Sequence, residues 1–246
     1  MDFTLKKYRE LLVALRDCDE VTLRHDVDKR PRNSLATALI EREMGWKASY
    51  YFRAVPDSWD EGIICEISAM GHEIGYHYES LTTCDGDMDS AYRDFCDNLE
   101  KLRTLAPVKT IAMHGSPMSR WNSLDLWKHF DYHKLGIETE PYLDTDFSKV
   151  FYLTDTGRRW DGYRVSVRDK IPVFQEQWCQ HGWCYHSTDD VIQAISHGTF
   201  PKAVMVNTHP QRWTDNKPQW LCELLLQSAK NVVKRLMIKK KVYFCK

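Results

Sequence analysis

The sequence predicts an α/β fold built on a parallel sheet, and three observations lead there. Short apolar runs alternate with helix-like segments at spacings of about 25 to 35 residues, the repeat of successive βα units. Six or seven such units in one chain favour a barrel over an open sheet. Polar clusters follow the predicted strands, where folds of this class carry their chemistry. These clusters are Arg24-His25-Asp26-Val27-Asp28, His77-Tyr78-Glu79, His114-Gly115-Ser116-Pro117, Asp155-Thr156-Gly157-Arg158-Arg159-Trp160 and Asn207-Thr208-His209-Pro210.

Residues 2–17 have helical spacing, with Phe3, Leu11, Leu12 and Leu15 on one apolar face. Val21 to Asp26 is the first strand. Pro31 suits a first helical turn, and Asn33 to Met44 reads as a helix stopped by Gly45. A strand over Ala48–Phe52, a helix over Gly62–Met70 closed by Gly71, and a strand over Glu73–His77 follow. Asp89–Leu105 is a helix with Tyr92, Phe95, Leu99 and Leu102 inward, and Lys109–His114 is the fourth strand. Asn122–Lys128 is a short helix, and Leu135–Glu138 is a candidate fifth strand. Val150–Thr154 is a strand, Asp155–Asp190 reads as long loops, and Asp189–His197 is a helix capped by Asp189 or Thr188. Ala203–Thr208 is the last strand, and Trp220 to about Lys239 the closing helix. With no linker, repeat or low-complexity tract, residues 1–246 are expected to form one domain, its core over 20–212.

Composition excludes several classes. The 34 Lys+Arg nearly balance 35 Asp+Glu, so no global field recruits nucleic acid. No apolar run is long enough to span a bilayer, and the first residues read as an amphipathic helix rather than a signal peptide. The eight cysteines form no Cys-x-x-Cys pair, so buried thiols in the cytoplasm are expected rather than disulfides.

Side chains alternate along a strand, so Asp26 and Asp28 face one way and His25 the other. Carboxylates, a guanidinium and an imidazole at the end of a buried strand must be paired, hydrogen-bonded or bound to metal. An ion-pair network alone would satisfy one such strand end. Five polar strand ends in one chain favour an active site.

Asp26-Val27-Asp28, the string Gly71-His72-Glu73-Ile74-Gly75-Tyr76-His77 and a late strand ending in His209 together resemble the polysaccharide deacetylase family. That family is also called NodB-homology or carbohydrate esterase family 4, and the resemblance covers roughly residues 20–212. With Met113-His114-Gly115-Ser116-Pro117, Thr154-Asp155-Thr156-Gly157-Arg158-Arg159-Trp160 and Asn207 through Trp213, it looks closest to a divergent WbmS-like branch associated with surface-polysaccharide and O-antigen gene clusters. The resemblance implies a distorted (β/α)7 barrel, with Asp26 as general base, Asp28 and His77 as metal ligands and His209 as general acid. Family members carry a second metal histidine four residues after the first, where this chain has Leu81.

His114 is the candidate third ligand, with His25 and Glu79 behind it; zinc accepts such mixed sets, and Mn, Fe, Co or Ni are alternatives. Arg24, Arg158 or Arg159 could stabilise a developing oxyanion. Arg158, Arg159, Arg212, Trp160 and Trp213 read either as an anionic-sugar platform or as loop-pinning and core residues. His25, Glu79, Ser116 and Asp155 join them as expected substrate-facing residues, whereas His72 reads as structural. The expectation is a cytoplasmic metal-dependent hydrolase removing an acyl group, N-acetyl above all, from a sugar. The alternatives are a glycan- or nucleotide-sugar-binding protein without turnover, kept open by Leu81, and hydrolysis of another C–N bond. The basic, amphipathic end from Lys230 to Lys246 fits either a barrel-closing helix or contact with an anionic membrane presenting a lipid-linked glycan.

Overall fold

The computed structural model describes residues 1–161 and 164–244, with the backbone alone for 235–244. In chain order it forms α1 (Leu5–Ala14), β1 (Glu20–Val27), α2 (Pro31–Glu43), β2 (Ser49–Phe52), α3 (Glu61–Ala69), β3 (Glu73–Tyr78), α4 (Ser80–Thr83), α5 (Met88–Arg103) and β4 (Val108–Met113). Then come α6 (Pro141–Asp144), β5 (Phe151–Thr154), α7 (Pro172–Gln180), α8 (Thr188–Ser196), β6 (Ala203–Thr208) and α9 (Lys217–Phe244). The α/β alternation and the parallel sheet are those expected, with six strands among the described residues. Two compact units are formed: Arg24–Thr145, and Met1–Leu23 together with Asp146–Lys246. β1 contributes residues to both.

In the unit of residues 24–145 the strand order is β4-β3-β2-β1, every neighbour parallel. Parallel strands bury both faces, and β2 and β4 are correspondingly apolar and almost wholly buried. The register places Asp26, Tyr51, Gly75 and Thr110 in one row across the sheet. α5 packs Phe95 against Tyr76, Tyr78 and Trp127 at ring-centroid separations of 5.3, 5.4 and 4.7 Å. Of its four expected inward residues Phe95, Leu99 and Leu102 are buried, while Tyr92 lies further out and stacks on Phe130 at 4.0 Å.

In the other unit β5 and β6 pair in parallel from Phe151↔Val204 to Thr154↔Asn207. Trp213 is fully buried there, against Phe3, Tyr8 and Trp160. A second aromatic group surrounds Phe151 with Trp178, Trp183, Tyr185 and Phe200.

Several expectations need correction. Residues 135–138 form no strand: Tyr132–Leu135 is a 3-10 turn ended by Gly136 in the left-handed region, and only Thr139 bridges to Thr110. The stretch 155–190 is not all loop, because Pro172 opens α7, whose Trp178 is buried. The cap of α8 is Ser187, in a capping box with Asp190, one residue before the two proposed. None of the described thiols is buried: Cys65 and Cys222 are exposed and the other five half-buried, with no disulfide among them. Cys245 and the basic side chains from Arg235 onward lie outside the described residues.

Two glycines of the Gly71-to-His77 string have separate physical reasons. Gly71 turns the chain into β3 with φ +86°, a conformation that side chains rarely adopt. Gly75 makes room for a ring: a Cβ there would stand 2.4 Å from Tyr51 Cδ1 and 3.0 Å from the Thr110 carbonyl oxygen. Gly75→Ala should therefore destabilise the fold by about 1–3 kcal/mol, the usual effect of overpacking. Thermal unfolding checks this, and an unchanged midpoint would show that the Tyr51 ring yields without strain.

Candidate metal and acid–base site

β1 ends by delivering two carboxylates to one place. Asp26 is buried, and Arg24, two residues earlier on the same face, grips it with Nε–H to Oδ1 at 3.0 Å and Nη2–H to Oδ2 at 3.1 Å. The guanidinium also lies over the rings of Tyr51 and Tyr142, 5.2 and 5.0 Å from their centroids. Tyr51 is the ring that fills the space above Gly75. The motif glycine thus supports, through Tyr51 and Arg24, the orientation of Asp26. Arg24 is 1% exposed and hydrogen-bonded to Asp26, so its guanidinium holds that carboxylate rather than meeting an oxyanion as expected.

Asp28, His77 and His114 converge in the same unit. His77 Nε2 is 3.6 Å from Asp28 Oδ1 and 3.9 Å from Asp26 Oδ2. His114 Nε2 is 3.4 Å from the same Asp28 oxygen. One ligand atom from each of Asp28, His77 and His114 lies within 4.8 Å of the others. Two ligands bound at ~2.0–2.2 Å to a tetrahedral ion stand about 3.3–3.6 Å apart, so the spacing suits a metal such as zinc.

The hydrogen bonds behind the rings fit that chemistry. His77 Nδ1 is 2.8 Å from the Ala112 carbonyl oxygen, which only accepts, so in the neutral ring Nδ1 carries the proton and Nε2 the lone pair. His114 Nδ1 is 2.8 Å from Glu79 Oε2 and 3.0 Å from Ser116 Oγ. This is the pattern of metal-binding histidines, whose other nitrogen is held by an oxygen acceptor. Asp28 and His114 are half-buried, and His77 is 2% exposed.

Glu79 and Ser116 therefore sit behind His114. Burial pushes the Glu79 carboxyl up, but the hydrogen bond from His114 and the Arg53 guanidinium outweigh it and hold it at about 2. Leu81, at the family's second histidine position, is 1% exposed and packed into the core from α4. His25 faces the opposite side of β1, wholly buried, with Nε2 2.7 Å from Glu41 Oε1 and its ring 4.3 Å from that of Tyr50. It is neither a reserve ligand nor a substrate contact. His72 is held between the Ala48 amide and the Ala38 carbonyl, a structural histidine.

The remaining expected residues lie in the other unit. Asp155 follows β5, and its fully buried carboxylate accepts from His209 Nδ1 at 2.7 Å, the His209 amide, Trp213 Nε1 at 2.8 Å and Arg212. Burial raises its pKa, yet the Arg212 and His209 charges and hydrogen bonds win and hold it below the ordinary carboxylate value. Asp155 is thus a positioning partner of His209 rather than a substrate contact. Trp213 is core, and Trp160 is 4% exposed with its Nε1–H on Thr188 Oγ1. Arg158 packs its guanidinium over Phe3 and Trp220, each at 4.8 Å. Arg159 is paired through both nitrogens with Asp161. Arg212 is 6% exposed. The sugar-platform expectation for Arg158, Arg212, Trp160 and Trp213 is corrected to loop-pinning and core roles, because these groups are buried among their neighbours; Arg159, paired with Asp161, keeps a third of its side chain exposed.

Three residues escaped the sequence reading. Arg53 follows β2 and binds Glu79, and its position after a strand was the available signal. Asp169 accepts from Tyr152 and Thr154 hydroxyls at 2.5 and 2.7 Å and from Thr156; burial opposes its ionisation, but the His209 charge and the hydroxyls hold its pKa at about 2. Its place in an irregular stretch offered no signal.

Glu140 caps α6, accepting from the Tyr142 and Leu143 amides, and with its other oxygen takes the amide of Met113, the neighbour of His114. Burial pushes this carboxyl from 4.5 up to about 7, against the Arg24 charge and the amides. A carboxyl raised on folding binds more protons folded than unfolded, so stability is full below about pH 4.5 and falls as pH rises through about 7. Denaturant titrations should find Glu140→Gln free of that loss, which is on the order of 3 kcal/mol. Parallel pH profiles for the two proteins would contradict the assignment.

No protein-family sequence model and no curated protein sequence matches the chain. Among solved structures, it is similar to a CE4 family pseudoenzyme, BA3943 from Bacillus anthracis, at 14% identity and TM-score 0.45, covering 85% of this chain and 60% of that one. A BA3943 mutant has 13% identity and TM-score 0.44, with 62% of its chain covered, so the chain spans about three fifths of these two proteins. A family 4 carbohydrate esterase from Streptomyces lividans in complex with acetate has 16% identity and TM-score 0.44, covering 87% of this chain and 91% of that one. The Bc1960 peptidoglycan N-acetylglucosamine deacetylase has 16% identity and TM-score 0.44, over 85% and 81%. Carbohydrate esterase family 4 is named for the BA3943 and Streptomyces lividans structures.

Proposed function

We propose that this protein is a metal-assisted hydrolase that removes an acyl group, N-acetyl above all, from a sugar. The observation that carries the reading is the convergence of His77 Nε2 and His114 Nε2 on Asp28 Oδ1, each ring with Nδ1 turned to an oxygen. Asp28, His77 and His114 would hold a divalent metal, with zinc the best fit to two imidazoles and a carboxylate. When bound, such an ion polarises a carbonyl and acidifies water.

The chain's own groups supply the proton transfers. Asp26, fixed by Arg24 beside His77, takes the proton of the attacking water. The amide C–N bond breaks, one product is the carboxylic acid and the other the amine, and the leaving nitrogen must gain a proton. The resemblance assigns that step to His209. Asp155 holds its Nδ1, so Nε2 is the nitrogen through which the role would run.

We assign the substrate to surface-glycan or O-antigen biosynthesis and the protein to the cytoplasm, at the inner face of the membrane. The motif resemblance supports the first. Support for the second comes from α9, where exposed Leu221, Leu225, Val232 and Val233 accompany Lys230 and Lys234. No helix among the described residues is long and apolar enough to cross a membrane. Leu81 favours a second reading, a glycan-binding protein without turnover.

Metal analysis and acetate release separate these readings. The purified protein should carry about one zinc, or Mn, Fe, Co or Ni, per chain, lost in Asp28→Ala and His77→Ala. Asp26→Asn should lower acetate release from N-acetylated sugars by about 10²- to 10⁴-fold while keeping metal and fold. Metal bound without any turnover would favour the binding protein, and a protein that takes up no metal would remove the hydrolase mechanism.

A further inference from the structure

The family pattern takes its second metal histidine from four residues beyond the first, and this chain sends that position into the core as Leu81. The candidate replacement, His114, stands after a different strand, so something other than the motif must aim it. Four hydrogen-bonding groups behind its ring do so. Glu79 Oε2 receives His114 Nδ1–H at 2.8 Å and the Ser116 hydroxyl at 3.0 Å. Ser116 Oγ itself stands 3.0 Å from the same Nδ1, closing a three-membered ring of contacts. Glu79 Oε1 is taken by the Nε and Nη2 of Arg53. The His114 amide donates to the Tyr78 carbonyl at 2.8 Å, which sets the backbone from which the ring projects.

Arg53 also touches the other side of the ligand set. Its Nη1 lies 3.3 Å from the carbonyl oxygen of Asp28. One guanidinium therefore links the backbone that carries Asp28 with the carboxylate that orients His114. Both oxygens of Glu79 are used, one on each side, so the carboxylate cannot rotate without losing a charged partner. A carboxylate only accepts, hence in the neutral ring Nδ1 holds the proton and the Nε2 lone pair is the one presented at Asp28.

We propose that Glu79, anchored by Arg53, is the positioning residue that makes His114 the third metal ligand of this chain, in place of the histidine missing at Leu81. This rests on the metal-binding reading above, and Glu79 does not touch the ion or the substrate. A ligating imidazole loses about 10- to 100-fold in metal affinity when its outer partner is removed. The same partner, were it merely structural, would change affinity equally with or without His114.

The test uses zinc as the probe, in competition with a chromophoric chelator, on the full chain and on Glu79→Ala, Glu79→Gln, His114→Ala and the Glu79→Ala/His114→Ala double variant. Circular dichroism establishes that each is folded. Glu79→Ala should weaken zinc about 10- to 100-fold and Glu79→Gln less, because the amide oxygen still accepts from Nδ1. In the His114→Ala background the same Glu79→Ala change should have no further effect. A second readout needs no metal: long-range proton–nitrogen NMR of the zinc-free wild type should show the Nδ1–H tautomer of His114, mixed with Nε2–H in Glu79→Ala. An Nε2–H tautomer in the wild type, unchanged zinc affinity in Glu79→Ala, or an undiminished effect of Glu79→Ala without His114 would each overturn the assignment while leaving the metal reading intact. A wild type that binds no zinc would overturn both.

Discussion

The site depends on two hydrogen bonds made on the far side of two imidazoles. The Ala112 carbonyl takes Nδ1–H of His77, and the Glu79 carboxylate takes Nδ1–H of His114. Each bond decides which nitrogen keeps its lone pair, and both lone pairs then face Asp28 Oδ1 at 3.6 and 3.4 Å. Lone pairs and an anionic oxygen at that distance repel one another unless positive charge stands between them. The arrangement is therefore better matched to a cation than to a purely internal ion-pair network.

The rest of the unit of residues 24–145 serves to keep that geometry. Parallel pairing puts Asp26, Tyr51 and Gly75 in one row, and the missing side chain at Gly75 leaves room for the Tyr51 ring over which Arg24 lies. Arg24 then fixes Asp26 through two hydrogen bonds. Glu140 does comparable work beside His114, spending a buried carboxyl on the Met113 amide and on the cap of α6. The other unit repeats the principle with different groups. There Asp155 gathers His209, Arg212 and Trp213, a buried carboxylate saturated by donors from the end of β6.

Much of this was legible in the sequence, for reasons that can be named. Strand periodicity located all six described strands to within two residues, and the rule that polar residues at strand ends carry chemistry picked out Asp28, His77 and His114. Exposure was not legible. Trp160, Trp213, Arg158 and Arg159 read as a sugar platform because aromatic and guanidinium groups serve both stacking and packing. Only the structure shows Trp213 fully buried and Arg159 spent on Asp161. His25 shows the same limit: alternation placed it on the opposite face, but its partner Glu41 comes from α2, sixteen residues away. Glu79 and Arg53 illustrate a subtler one, since spacing marks polar strand ends and does not reveal which groups hydrogen-bond to them.

The most direct measurement of the central claim is anomalous diffraction from zinc-loaded crystals, recorded on both sides of the zinc absorption edge. The account predicts one anomalous peak bonded to Asp28, His77 Nε2 and His114 Nε2, each at about 2.0–2.2 Å. Zinc absent from these three residues, or bound there with His114 turned away, would contradict it.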